Sequence, residues 1–215
     1  MSAPPSPGVF VVFEGGDGVG KSTQADLLVT WLRAEGREAL RTHEPGASAI
    51  GPTVRALLLD RDSPLSSPWA EALLYAADRA EHVAGVVRPA LARGAVVVSD
   101  RYIDSSVAYQ GVSRGLGAQR VAQVSQWATE GLRPHLTVLL DLDPAVALAR
   151  SPDPADRLES LPLVFHRQVR QAFLDRAAAD PDHYLVLDAA ADPQSVQAEV
   201  QARLAPLLAD AGVRP

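Results

Sequence analysis

Cysteine is absent from the chain. That excludes disulfides, thiolate catalysis and any cysteine-ligated zinc or iron–sulfur site. Long apolar runs are absent too: no stretch approaches the ~20 consecutive apolar residues that a membrane span needs, and the longest runs are strand-sized. There is no excess of basic residues. A formal net charge of −6 argues against a broad surface for nucleic acid polymers, while leaving room for a local basic pocket. Met1–Gly8 is small and proline-rich without a basic start, so no signal sequence is expected there, and residues 1–8 are expected to be flexible. No fixed-period repeat or N-K-x-D guanine-reading motif occurs. A protein of the cytoplasm, one domain over residues 1–215, is the expectation.

What is present is an alternation. VFVVF (Val9–Phe13), AVVVS (Ala95–Ser99), LTVLLDL (Leu136–Leu142) and YLVLD (Tyr184–Asp188) read as strands buried on both faces, with EALRTH (Glu38–His43) a weaker fifth. Between them run helical patterns at Lys21–Ala34, Ile50–Leu59, Pro68–Ala92, Ala118–Glu130, Leu158–Ala179 and Asp192–Ala209. Strand and helix in this rhythm specify an α/β fold: a five-stranded parallel sheet with helices on both sides, ligands gathering at the carboxyl ends of the strands. ARSPDPADRLE (Ala149–Glu159) breaks the rhythm with prolines, aspartates and arginines. By itself it reads as a surface loop.

The first strand runs into Gly15-Gly16-Asp17-Gly18-Val19-Gly20-Lys21-Ser22, followed by Thr23. This is G-x-x-x-x-G-K-[ST] between a predicted strand and a predicted helix, the context the motif requires. Backbone N–H groups freed by the glycines converge on phosphate oxygens, and the helix N-terminus adds partial positive charge. Lys21 is placed to reach the β- and γ-phosphates and the Ser22 hydroxyl to ligate magnesium, so ATP with Mg²⁺ is the expected donor. Asp17 stands out as a carboxylate inside an anion-binding loop.

Two further segments bear on the acceptor. VVVSDRYIDSSVAYQG (Val96–Gly111) sets Asp100 and Arg101 at a strand end, where guanidinium can fork onto phosphate and Asp100 can support magnesium or orient Arg101. ALLYAADRAEHV (Ala72–Val83) spaces Tyr75 and Arg79 four apart on one helix face, a ring and a guanidinium able to take a planar base between them. The five histidines, among them His43 and His82, lack metal-ligand spacing, and Trp31, Trp69 and Trp127 read as packing residues on amphipathic helices. The LDLD turn before Pro144 reads as a helix cap.

Taken in order, EGGDGVGKSTQ, THEPGASAIG, LLYAADRAEH, DRYIDSSVAYQG and DRLE resemble the bacterial thymidylate kinases, P-loop enzymes that phosphorylate dTMP to dTDP with ATP and magnesium. The resemblance implies a P-loop NTPase three-layer fold with a short lid, about residues 149–160, and a homodimer. It places Glu44, Pro45 and Arg55 along the acceptor site. Tyr75 corresponds to the ring that stacks on thymine, Arg79 to the arginine on the base O4, and Arg101 to the arginine that grips the dTMP phosphate. Ser106 and Gln110 correspond to positions beside the base, Tyr109 to the ring that crowds the sugar 2′ position, and Asp17 to a loop carboxylate near the acceptor. Because the loop has no arginine, the lid is expected to supply one, Arg150 or Arg157, with Arg157 in DRLE the better candidate. The chain departs from the family's R-E-P-G-G-T with His43-Glu44-Pro45-Gly46-Ala47-Ser48, from its more basic lids, and from the phenylalanine several relatives carry where Tyr75 stands. The rivals are a kinase of another nucleotide or a deoxynucleoside on the same scaffold, and an ATP-hydrolysing switch without an acceptor.

Overall fold

A computed structural model describes residues 8–150 and 157–210 of the chain. Five strands, β1 (Val9–Glu14), β2 (Ala39–His43), β3 (Val96–Asp100), β4 (Leu136–Asp141) and β5 (Tyr184–Asp188), form one parallel sheet in the order β2-β3-β1-β4-β5. β1 pairs Phe13 with Asp100 on one side and with Val138 on the other. The strand order therefore diverges at β1, and a crevice opens beyond its carboxyl end, where ligands settle in such sheets.

The alternation of side chains along β1 explains why both faces are covered. Val9, Val11 and Phe13 point into a core built with Leu28 and Leu32 of α1 (Lys21–Ala34) and Val200 and Leu204 of α9 (Pro193–Asp210). Phe10 and Val12 point the other way, onto Val83, Val87 and Ala90. A third cluster joins Leu139 of β4 to Phe165, Val169 and Phe173 of α8 (Leu163–Ala179) and to Tyr109.

Several expected elements change shape. The helix expected over Pro68–Ala92 is α3 (Pro68–His82), a π-helical turn (Val83–Val87) and α4 (Arg88–Ala92). After β3 the chain turns into α5 (Ile103–Ser106) and widens into a second π-helical segment (Val107–Ser113) before α6 (Ala118–Thr129). A short helix, α7 (Pro144–Ala149), follows β4, with Asp143 capping it by accepting from the Ala145 N–H at 2.8 Å. α8 starts at Leu163, since Pro162 ends the turn preceding it. Remaining helix α2 spans Gly51–Leu59. Gly8, grouped with the flexible terminus in the sequence reading, is buried and donates to the Leu91 carbonyl; residues 1–7 lie outside the described residues, as do 151–156 of the expected lid. Trp127 departs from its reading as packing, being 82 % exposed on α6. Among the described residues no helix is long and apolar enough to cross a membrane.

Candidate active site

The loop between β1 and α1 turns at Gly15, whose φ of 136° suits glycine and whose added Cβ would sit 2.5 Å from the Leu140 carbonyl oxygen. It ends at Gly20, left-handed at φ 94°, which opens α1 without a side-chain cap. The first N–H groups of a fourteen-residue helix thus remain directed at the loop. Lys21 folds over the loop and donates to the Gly16 carbonyl, and Thr23 stands exposed beside Ser22 at the helix start.

Ser22 donates to the Asp100 carboxylate at 2.6 Å. Strand register delivers Asp100 there, since it is the last residue of β3 and lies beside Phe13 of β1. The pair offers hard oxygens without nitrogen or sulfur, a donor set that suits a magnesium ion keeping its own waters and substrate phosphate. Burial would raise Asp100, but Lys21, Arg101 and the Ser22 hydroxyl outweigh it and hold the carboxyl below the ordinary range. Lys21 moves the other way, pushed down to about 8 by burial and by Arg101 against the pull of the nearby carboxylates. Arg41, which the sequence reading did not single out, approaches Asp100 at 3.4 Å and adds a third cation.

Beside this cluster opens a cavity of about 540 Å³, large enough for a mononucleotide. All ten residues that the family resemblance assigned to the acceptor line it: Asp17, Glu44, Pro45, Arg55, Tyr75, Arg79, Arg101, Ser106, Tyr109 and Gln110. They come from the loop after β1, the segment after β2, α2, α3 and the stretch after β3.

Asp17 faces the cavity. Its carboxylate pairs with Arg101 and accepts from the Tyr109 hydroxyl at 2.6 Å. Burial alone would raise it; Arg101, Lys21 and the Tyr109 hydroxyl together hold it low and charged. Arg101 itself has φ 70°, left-handed for a residue with a side chain. Its guanidinium lies 5.3 Å from the Tyr109 ring centroid, and that ring is wedged edge-on against Phe165 and Phe173. Burial, reinforced by Asp17, pushes the Tyr109 hydroxyl well above its ordinary value, so it donates at neutral pH.

At the far end Arg79 is 1 % exposed. It donates to Glu44 at 2.7 Å, to Ser125 at 3.1 Å, to the Tyr102 carbonyl at 2.9 Å and to Ser106 at 3.0 Å. Glu44 also meets His82 Nδ1 at 2.9 Å, and His82 Nε2 meets the Thr42 hydroxyl at 2.6 Å. A carboxylate only accepts, so His82 carries a proton on Nδ1. The segment after β2 is pinned from α3, where Asp78 accepts from the Gly46 N–H at 3.0 Å and the Ser48 hydroxyl at 2.8 Å. Serine at 48 therefore anchors the loop despite the departure from the family pattern. His43 lines the cavity, its imidazole pKa lowered by burial and by Arg55 and Arg41. Arg55 donates to the Pro45 carbonyl at 2.8 Å. Tyr75 is half-buried and packs against the Tyr109 cluster.

The lid arginines are placed elsewhere. Arg157 donates to Glu71 at 2.6 Å and to the Leu58 carbonyl at 3.1 Å, while Gln110 donates to the other Glu71 oxygen at 2.9 Å. Arg150 reaches the Ala189 carbonyl at 3.1 Å. Neither lines the cavity. The supporting residues Glu14, Glu71, Asp78, His82 and Ser105 were not singled out from the sequence. Glu14, Asp78, His82 and Ser105 do lie within the quoted motifs, but membership of a motif does not say what a side chain touches.

The thymidylate kinase family model matches residues 13–200. A thymidylate kinase of Clavibacter michiganensis subsp. michiganensis is 55 % identical over 206 residues, covering 94 % of this chain and 97 % of its own. One from Leifsonia xyli subsp. xyli is 53 % identical over 208 residues, covering 95 % and 98 %. One from a Synechococcus strain is 51 % identical over 209 residues, covering 96 % and 100 %. With the phosphate loop, the Ser22–Asp100 pair and a nucleotide-sized cavity all at the carboxyl end of one parallel sheet, the chain belongs to the thymidylate kinase family.

Proposed function

We propose that this protein is an ATP:dTMP phosphotransferase, making dTDP for dTTP synthesis as one domain over residues 1–215 in the cytoplasm. The observation that carries the reading is the convergence of ten acceptor-assigned residues from five segments on one cavity beside Lys21, Ser22 and Asp100. An oxygen of the acceptor phosphate attacks the γ-phosphorus of ATP in line. The bond from that phosphorus to the β–γ bridging oxygen breaks, and ADP leaves. The chain need supply no nucleophile, only positioning and positive charge between two anions that repel.

Each end has its task. Gly15 to Gly20 cradle the donor phosphates through backbone N–H groups, Lys21 reaches the β- and γ-phosphates, and Thr23 flanks them. Ser22 and Asp100 would hold magnesium, which would neutralise charge on the donor phosphates. Arg101 and Arg55 take the acceptor phosphate. Tyr75 stacks on the base, while Arg79, Ser106 and Gln110 read its edge within the walls set by Glu44 and Pro45. Tyr109 crowds the sugar 2′ position and Asp17 attends the acceptor. A lid over about 149–160 supplies Arg157, or failing it Arg150, to the transferring phosphoryl group.

The family's homodimer carries over to this reading. Trp127 on α6 and Leu73 on α3 are 82 % and 54 % exposed, on two helices that pack together. Such exposed apolar side chains suit a two-fold interface, and sedimentation velocity tests it. The activity is tested by a coupled assay with ATP, magnesium and each nucleoside monophosphate in turn. Turnover peaking sharply on dTMP is expected. A peak on another monophosphate, or ATP loss without any acceptor, overturns the assignment.

A further inference from the structure

Arg101 needs support, because its backbone does not favour the position it holds. A φ of 70° is strained for a residue with a Cβ and persists only where neighbours over-determine it. Upstream, the Arg101 N–H donates to the Phe13 carbonyl at 2.9 Å, and the Ser99 hydroxyl donates to the Arg101 carbonyl at 2.9 Å. Downstream, the support comes from Glu14, the fully buried last residue of β1. One Glu14 oxygen accepts from the Tyr102 N–H at 2.8 Å and the Ser105 N–H at 3.2 Å. Tyr102 opens α5 without a cap of its own, so the carboxylate of a remote strand caps that turn.

The other Glu14 oxygen accepts from the Ser105 hydroxyl at 2.6 Å. A hydroxyl has one proton to give, and here it goes to Glu14. The free lone pair of Ser105 then faces Arg101, accepting from Nη1 at 3.0 Å. Glu14 thus fixes the backbone on the far side of Arg101 and, through one hydroxyl, its guanidinium. The remaining anchors of that guanidinium, Asp17 and the Gly15 carbonyl, belong to the phosphate loop.

We propose that Glu14 and Ser105 are positioning residues that aim the Arg101 guanidinium at the acceptor phosphate, an inference that rests on Arg101 being the arginine that holds that phosphate. Glu14 faces neither substrate as a charge; its oxygens are turned to Tyr102 and Ser105. Loss of the relay should therefore be felt by a ligand with a phosphate and not by one without.

The test compares dTMP with thymidine, the same nucleoside lacking phosphate, by calorimetry on the full chain. Ser105→Ala should weaken dTMP about 10-fold, the scale of one charge-assisted hydrogen bond. It should leave thymidine affinity and the KM for ATP within about two-fold. Ser105→Thr, which keeps the hydroxyl, should restore most of the dTMP affinity, and Glu14→Gln should reproduce the Ser105→Ala pattern. Should Glu14→Gln fail to fold, the serine pair decides. Arg101→Ala is the reference. If it weakens both ligands alike, the reading of Arg101 is wrong. If it separates dTMP from thymidine while Ser105→Ala does not, or Ser105→Ala weakens both equally, the positioning role is overturned.

Discussion

At the end of the cavity proposed for the base, Arg79 is 1 % exposed and held by Glu44, Ser125, Ser106 and the Tyr102 carbonyl. At the phosphate end the Arg101 side chain keeps 18 % of its surface, sits on a left-handed backbone and leans on Asp17. The base end is completed by folding: its guanidinium, carboxylate and imidazole satisfy one another before any ligand arrives, so what remains is a rigid wall against which a base either fits or does not. The phosphate end collects Lys21, Arg41 and Arg101 against Asp17 and Asp100. Its order depends on ion pairs that arriving phosphates can join or replace. On the proposed reading, rigidity is concentrated where the ligand is neutral and planar, and adaptable charge where the ligand is an anion that must react.

The contrast can be broken first through the lid. Arg157 stands outside the cavity, on Glu71, whose other oxygen holds Gln110. If catalysis needs it at the phosphate end, Arg157→Ala lowers kcat by about 10³-fold while dTMP affinity changes little. Near-normal turnover in steady-state assays would return Arg157 to its contact with Glu71. Next comes stability. Glu44→Ala leaves the Arg79 guanidinium and His82 buried without their carboxylate, at a cost of about 3–5 kcal/mol. Calorimetry should show the melting temperature fall by roughly 10 °C, and a drop of only a degree or two would remove the claim that the base end is set by folding.

A third prediction concerns pH. Burial, with Asp104 adding to it, pushes the Glu14 carboxyl from its ordinary 4.5 to about 7. The folded state therefore binds that proton more tightly than the unfolded state. Wild type keeps this contribution in full below about pH 4.5 and loses it as pH rises towards 7, by up to about 3 kcal/mol. In Glu14→Gln nothing ionises there, so the stability difference between the two, measured by urea melts from pH 4.5 to 7.5, should slope; parallel curves contradict it. Smallest is Asp17→Ala, which should raise the KM for dTMP about 10-fold while the KM for ATP stays within about two-fold. Equal losses in both would make Asp17 a loop-shaping residue and nothing more.

Legibility in the sequence followed the range of the interactions. The phosphate loop could be read from eight consecutive residues because its work is done by backbone and one adjacent lysine. The strands could be read because a parallel sheet covered on both faces demands unbroken apolar runs, and Val9–Glu14 is buried throughout. The helix over Pro68–Ala92 was anticipated, but the π turn at Val83–Val87 was not, since an inserted residue in a helix leaves the apolar pattern nearly intact. Nor was α7, six residues long and too short for a periodic signal. Arg101 was proposed from its strand end and Tyr75 and Arg79 from their helix spacing, the other acceptor residues through family likeness; neither spacing nor composition says that Asp17 meets Arg101 across eighty-four positions.

By itself, then, the order of residues determined a parallel α/β sheet, a phosphate loop at the end of its first strand and the chemistry of the donor. Those depend on side-chain periodicity and on local backbone geometry. Only the tertiary structure decided that Glu14 supports Arg101 through Ser105, that Glu44 stands between Arg79 and His82, and that Arg157 rests on Glu71. Each of those joins residues brought together by strand register and helix packing, and a hydrogen bond within about 3 Å cannot be anticipated from a pattern that records only which residues are apolar.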